Sequence, residues 1–541
     1  MALIESNIVT SSESFCRNRE AMLTLLQRVR GVEASTREVS NAAGPRFRER
    51  GQLLPHERLG LLLDRNAPFL ELSTLAGYGM GRKRSDGKAV AGGGLIAGIG
   101  AVSGVRCMVC VSDSGIDAGA FQPKGLEKQL RIQEIALENK LPFVQLVESA
   151  GANLLNYEVQ SFVHGGQKFR NLARLSAAGL PIVTITHGAS TAGGAYQTGL
   201  SDYIIMVENR SRAFLAGPSL LEAATGEIAT EEELGGGLMH ATISGLADYL
   251  AQDDRDAIRL AREVLESLHW NKRRQVPHAV EFEPPRYDGG ELLGIMPEDY
   301  RQPVDMREVI ARIVDGSLFR EFSALYGPAT VCGHAFIKGY SVGIITNNGP
   351  IDPAGAAKVT HFIQACCQAD MPLIYLNNTT GFMVGKSFEE RGSIKHGSKM
   401  IQAIANANVP QITVFCGASF GAGNYAMCGR GFHPRFCFSW PNAKTAVMGP
   451  EQAAETMTTV NRAAMLRRYG EADEAKLKEL HDKVVANFMR QMDVFTTSAH
   501  VLDDGVIDPR DTRNVLAQTL EICRDADMRQ VNPMQFGVSR P

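Results

Sequence analysis

Two stretches of small residues offer the clearest chemistry in the chain. GASTAGGAY runs from Gly188 to Tyr196, and GASFGAGNY runs from Gly417 to Tyr425. Each follows a β-rich run, LPIVTIT in one case and VPQITVF in the other, and each leads into a helix-like segment. At such a turn small side chains let a ligand reach the main chain, and the first N–H groups of the helix have no acceptor inside it. The expected donors are the N–H groups of Gly193 and Gly194 in the first stretch and of Ala422 and Gly423 in the second, aimed at a developing enolate. One such motif alone would read as close packing of helix on strand. Its repetition at preserved spacing favours the chemical reading.

The turns ESAGANL (Glu148 to Leu154) and NTTGFMVG (Asn378 to Gly385) also follow strands and add candidate donors. Other motifs fall away. Gly381 to Ser387 imitates a phosphate-binding loop, but that loop needs about four residues between its glycines and three stand here. The glycines from Gly98 to Gly104 lead into a strand-like run and lack dinucleotide-binding spacing. Cys107 and Cys110 form a lone CxxC in an apolar run and read as core cysteines. His187, His240 and His396 stand apart, with no HExxH pattern or acidic cluster, so no metal is expected. A GxSxG nucleophile elbow is absent.

Composition narrows the setting. The chain has 541 residues, enough for at least two domains, and a formal net charge of −3. No basic run is interleaved with aromatics, so nucleic acid is not an expected partner. Ten scattered cysteines suit a reducing cytoplasm. Neither a secretory leader nor a membrane-spanning run is seen, and a soluble cytoplasmic protein is expected.

The elements that must position the two motifs are themselves written twice. LPFVQLVESAGANL is echoed by MPLIYLNNTTGFMV, which pairs Pro142 with Pro372 and Gly151 with Gly381, both at an offset of 230. Gly188 pairs with Gly417 at 229, and Asp248 with Asp508 at 260. The larger last offset points to a helical insertion at about residues 451–491 in the second copy. A Pro- and Gly-rich stretch near 276–303 reads as a linker, placing the domains at 1–285, with a helical N-terminal extension, and 286–541. Apolar strands alternating with amphipathic helices indicate an α/β layered fold with largely parallel pairing.

Around these motifs the chain resembles the carboxyltransferase subunits of biotin-dependent acyl-CoA carboxylases, in the branch acting on methylcrotonyl-CoA and geranyl-CoA. The resemblance runs almost end to end through FLAGPSLLEAATGE, MREVIARIVDGS, NTTGFMVGKSFEERGSIKHGSKM, GASFGAGNYAMCGRGFHPRF and WPNAKTAVMGPEQAA. It implies two tandem crotonase-like domains related by internal duplication. Acyl-CoA would sit mainly on the first domain, with Ala150, Gly151, Gly165, Asn348 and Gly349 lining its site. Biotin, carried by a partner α subunit that also holds the biotin carboxylase, would sit on the second domain of a neighbouring copy, near Gly381, Phe382, Phe420 and Gly421, with the active site at the dimer interface. A homo-hexamer, a trimer of dimers, is also implied. The chain has no AMKM-type biotin attachment site and no four-cysteine zinc ribbon of the bacterial acetyl-CoA carboxylase kind.

The implied reaction needs no side-chain base. Carboxybiotin releases CO2, the biotin enolate left behind takes the γ-proton of the acyl-CoA, and the dienolate held by Gly193 and Gly194 captures CO2. The acyl chain is read from VHGGQKFRNLARLSAAG, where Gly165 stands at a position that methylcrotonyl enzymes fill with Phe. Its small size favours a longer branched chain such as geranyl. The alternatives are a methylcrotonyl-specific carboxylase, a crotonase-type hydratase or hydrolase, and a noncatalytic scaffold. A hydratase would need a side-chain base and no second site, and a scaffold would need no intact glycine motifs.

Overall fold

Apolar runs buried on both faces are what parallel strands require, and both halves of the chain supply them. The computed structural model describes residues 2–81, 87–120, 122–149, 159–273 and 281–539. Its strands are β1 (Ala2–Leu3), β2 (Leu70–Glu71), β3 (Leu95–Val102), β4 (Val105–Ser112), β5 (Phe143–Ser149), β6 (Ile182–Thr191), β7 (Tyr203–Val207), β8 (Arg212–Phe214) and β9 (Tyr249–Ala251), then β10 (Leu318–Glu321), β11 (Thr330–Ile337), β12 (Tyr340–Asn347), β13 (Leu373–Thr379), β14 (Gln411–Phe420), β15 (Phe436–Ser439) and β16 (Lys444–Ala446). They form two sheets. One runs β2-β3-β4-β5-β6-β7-β9 with β8 also on β6, and the other runs β1-β10-β11-β12-β13-β14-β15 with β16 also on β14.

The sheets follow one plan. An antiparallel hairpin, β3 with β4 or β11 with β12, feeds parallel strands through crossover helices, Gly125–Glu138 in one sheet and Pro353–Gln368 in the other. Lys128 and Lys358 hold the same place on these helices, again at an offset of 230. Val109, Val144, Val183 and Ile205 fill one core, and Ile345, Val359, Phe362 and Tyr375 fill the other.

The chain divides into two compact units, but not at the boundaries expected from the sequence. One unit is Met1–Val29 with His278–Glu521, and the other is Arg30–Pro277 with Ile522–Pro541. The N-terminal residues join the later unit because β1 pairs with β10, Ser6 Oγ donates to Glu308 and the Phe15 ring fills the space over Gly294. The C-terminal residues join the earlier unit through an Arg106–Asp525 ion pair and the Met534 N–H, which donates to Ala177 O. The cuts fall inside two continuous helices, Glu13–Asn41 and Thr512–Met528.

Part of the stretch read as a linker is also core. Leu292, Leu293, Ile295 and Met296 are buried, since an apolar run of this length cannot stay in water without cost. Residues 450–491 form two helices, Pro450–Tyr469 and Glu474–Gln491, with Gly470 in the left-handed conformation between them and Asp473 capping the second through the Lys476 N–H.

Candidate functional site

Each unit carries the same elbow. β6 ends at Thr191, Ala192 turns with φ +53° and ψ −116°, and the helix Gly193–Gly199 begins. In the other unit β14 ends at Phe420, Gly421 turns with φ +54° and ψ −144°, and the helix Ala422–Ala426 begins. Both turns are pinned alike, Ala192 N–H donating to Phe214 O at 3.0 Å and Gly421 N–H to Ala446 O at 2.9 Å. The N–H groups of Gly193 and Gly194, and of Ala422 and Gly423, are first-turn donors with no acceptor inside their helices. Such donors can hold an oxyanion.

The two elbows differ in how much room they leave. A Cβ on Gly193 would touch only Phe169, at 3.5 Å, and one on Gly194 would come 3.2 Å from Ser190 Oγ. A Cβ on Gly423 would come within 2.9 Å of both Gly381 Cα and Thr379 Cγ2, so only glycine fits there. Gly381 has φ +117°, and its N–H donates to Thr379 Oγ1 at 3.2 Å. Phe420 is buried and meets Tyr300 edge-on at 5.0 Å, while Phe382 packs its ring against Gly397.

The remaining expected residues fall in different places. Ala150 and Gly151 lie outside the described residues. Gly165 lies in the helix Val159–Ala177, and a Cβ there would meet nothing within 4 Å. One turn on, Phe169 lies on the same helix face and is the neighbour of Gly193, so that face is turned towards the elbow. Asn348 and Gly349, expected on the acyl-CoA side, belong to the unit of the second elbow. The Asn348 side chain accepts from the Met306 N–H and donates to Asp305, and Gly349 O accepts from Thr379 Oγ1. These contacts tie Asn348 to its own unit.

Beneath the first elbow lies a buried ionic network. Arg58 pairs with Glu148 at 2.5 Å and with Asp254 at 3.0 Å, and His187 Nδ1 meets Asp254 Oδ1 at 2.9 Å. Gln52 and Ser114 also donate to Glu148. Burial alone would raise the Glu148 carboxyl, but Arg58 and Ser114 hold it below its ordinary value; Asp254 is held low by His187 and Arg58. Burial and the Arg58 charge lower the pKa of His187, so it stays neutral and its Nδ1–H donates to Asp254. Glu148 fixes the first residue of GASTAGGAY, because a Cβ on Gly188 would come 2.6 Å from its Oε1.

The second elbow has an amide in the same place. A Cβ on Gly417 would come 2.4 Å from Asn378 Oδ1, and Asn378 opens onto a small cavity lined also by Met296, Tyr300, Gln302 and Asn442. Sequence reasoning missed both supports. The available signal was the pairing of Gly188 with Gly417 and of Glu148 with Asn378 at nearly equal offsets.

Comparison with known proteins points the same way. The Carboxyl transferase domain family matches residues 46–536. The chain is 46% identical over 526 residues to the probable biotin-dependent acyl-coenzyme A carboxylase beta2 subunit of Mycobacterium tuberculosis, covering 96% of this chain and 97% of that protein. The mitochondrial methylcrotonoyl-CoA carboxylase beta chain of Dictyostelium discoideum is 44% identical over 496 residues, 91% of this chain and 83% of that one. Among solved structures, the beta subunit of P. aeruginosa geranyl-CoA carboxylase matches with a TM-score of 0.93 at 49% identity, covering 99% of this chain and 100% of the other. Family and fold thus converge, and the chain belongs to the carboxyl transferase family as the carboxyltransferase subunit of a biotin-dependent acyl-CoA carboxylase.

Proposed function

We propose that the chain carries a carboxyl group from carboxybiotin, borne by a separate biotin carboxylase and biotin carrier subunit, to the γ-carbon of a branched α,β-unsaturated acyl-CoA, with geranyl-CoA as the substrate. The observation that carries this reading is the pair of elbows with free first-turn donors, one for each of two enolates. The open space at Gly165, on the helix face that reaches Gly193 through Phe169, supports the long acyl chain. The likeness to a geranyl-CoA carboxylase beta subunit supports it too.

The second elbow is assigned to the biotin ring, with Gly423 kept side-chain-free by its close packing on Gly381 and Thr379. Bound there, carboxybiotin supplies the carboxyl group and then the base. Ala422 and Gly423 N–H groups would hold negative charge on the ring oxygen. Gly193 and Gly194 would hold the charge that develops on the thioester oxygen, which acidifies the γ-proton without a side-chain base.

The same reading takes the two units as tandem crotonase-like domains of one duplicated fold, supported by their common sheet plan and matched turns. It also places the protein in the cytoplasm as a homo-hexamer of three dimers. Among the described residues no helix is long and apolar enough to cross a membrane, and Phe162, Ile228 and Ile243 are at least 71% exposed, as expected of surfaces that a second copy covers.

The test is reconstitution with a biotin-bearing biotin carboxylase subunit, measuring ATP-dependent fixation of labelled bicarbonate on a series of acyl-CoAs. Fixation should be greatest on geranyl-CoA. Assembly without fixation on any acyl-CoA would sink the carboxyltransferase reading, and fixation on methylcrotonyl-CoA alone would sink the chain-length part.

A further inference from the structure

Behind the second elbow, three neighbouring strands carry polar side chains that lack partners. Thr330 opens β11, Asn347 closes β12, and Asn377 lies two residues before Thr379 on β13. Thr330 faces Asn347 across the hairpin, and the register that sets Thr346 beside Leu376 sets Asn347 beside Asn377. Because side chains alternate along strands, all three point to the face where Cys332, Ile345 and Tyr375 pack under helices. The helix Pro353–Gln368 lies over this face, since a Cβ on Gly355 would come 2.4 Å from Thr330 Oγ1. Lys358, one turn on, shares the Gly355 side of that helix.

The three strand residues are fully buried, and Lys358 is 2% exposed. Thr330 Oγ1, both amide atoms of Asn347, both of Asn377 and Lys358 Nζ have no hydrogen-bond partner among the described residues. Glu321 and Asp352 act on the Lys358 charge only from a distance. Arg307 holds Glu321, and Asp352 accepts from the Gly355 N–H. Water could meet the hydrogen bonds but would leave a buried ammonium without a counter-charge.

The other unit serves as an internal control. There Lys128 donates to Gly92 O at 3.2 Å and to Leu95 O at 2.7 Å. Where the second unit has Thr330, Asn347 and Asn377, the first has Leu95, Ser112 and Val147, by hairpin register and the offset of 230. The lysine thus lacks backbone acceptors only in the unit whose covered strand face carries two partner-free amides and a hydroxyl.

We infer that Lys358, Asn347, Asn377 and Thr330 form a binding site for a small oxyanion of the bicarbonate class. The ammonium, the two amide NH2 groups and the hydroxyl supply donors for its oxygens, and an Asn Oδ1 accepts its O–H, which nitrate and chloride lack. Thr379, two residues on from Asn377, touches Gly423, so the site lies just behind the second elbow. Its ligand is the hydrated form of the group that this half handles in the reading above. The test needs neither biotin nor acyl-CoA, so it stands or falls apart from that reading.

The test is calorimetric titration of the purified oligomer with bicarbonate at fixed pH and ionic strength, with nitrate and chloride as comparison anions and melting temperature as a second readout. Saturable bicarbonate binding is expected, with nitrate and chloride at least tenfold weaker. Lys358→Met should weaken it at least tenfold while the protein stays folded, because the substitution removes a lone buried charge. Asn377→Leu should also weaken it, and guards against a Lys358→Met chain that fails to fold. Lys128→Met should leave it unchanged. No saturable binding to the unaltered protein, meaning water only, would overturn the proposal, as would undiminished binding in the folded Lys358→Met and Asn377→Leu proteins.

Discussion

The two elbows hold nearly the same turn, φ +53° at Ala192 and +54° at Gly421, on different foundations. An alanine in that conformation carries backbone strain of about 1–3 kcal/mol, which the surroundings must offset. The first elbow has Glu148, Arg58, Asp254 and His187 locked beneath it, whereas the second relieves the strain with glycine and rests on Asn378 and Thr379. The donor geometry is kept while its support has diverged. One half depends on a buried charge network, and the other depends on close packing.

The largest test of that difference is Arg58→Met. It leaves two buried carboxylates without their cation and should cost about 3–5 kcal/mol in denaturant unfolding at neutral pH. Glu148 and Asp254 have depressed pKa values in the folded protein, so this contribution is present above about pH 4 and fades as pH falls through their folded values. A loss that is independent of pH would show that the network is not electrostatic support.

Close packing in the second half is tested by one substitution made twice. Gly423→Ala should lower kcat by about 10²- to 10³-fold, the order of losing an oxyanion donor, because the new methyl collides with Gly381 and Thr379. Gly194→Ala meets only a serine hydroxyl at 3.2 Å and should cost less than about tenfold. Equal losses would erase the contrast between the halves.

A smaller effect concerns Asp503, buried in the second elbow's unit, where it accepts from Ser439 and Ser498. Burial raises its carboxyl to about 6. A raised folded pKa means that its stability contribution is complete below the unfolded value, near 4, and is lost as pH rises through about 6. Asp503→Asn should therefore add about 2–3 kcal/mol relative to the unaltered protein at pH 8 and little at pH 4, as read by unfolding at the two pH values. A gain of the same size at both would refute the assignment.

The smallest effect sharpens the acyl side. Gly165→Phe fills open space on the helix that reaches Gly193. It should reduce kcat/KM for geranyl-CoA about tenfold while sparing methylcrotonyl-CoA. Equal loss on both substrates would refute the pocket argument.

The elbows and the parallel strands around them were legible in the sequence because the small residues and apolar runs recur at nearly constant spacing. The network under the first elbow was not. Arg58, Glu148, His187 and Asp254 are scattered along the chain, and His187 read in isolation shows no chemistry. The partner-free polar cluster escaped for a similar reason, since its four residues come from three strands and a helix. The assignment of the first 29 residues was also hidden, because an amphipathic helix announces a buried face without saying which core will cover it.

The division of the chain has a consequence during synthesis. The unit that begins with Met1 includes residues as late as Glu521, and the unit that begins at Arg30 takes in Ile522–Pro541. A nascent chain paused after residue 277 would therefore hold an earlier unit that still lacks its closing segment, and a leading segment whose sheet partner, β10, has not been translated. Each unit is thus completed by contacts between segments far apart in sequence, the kind of pairing whose loop-closure entropy slows folding.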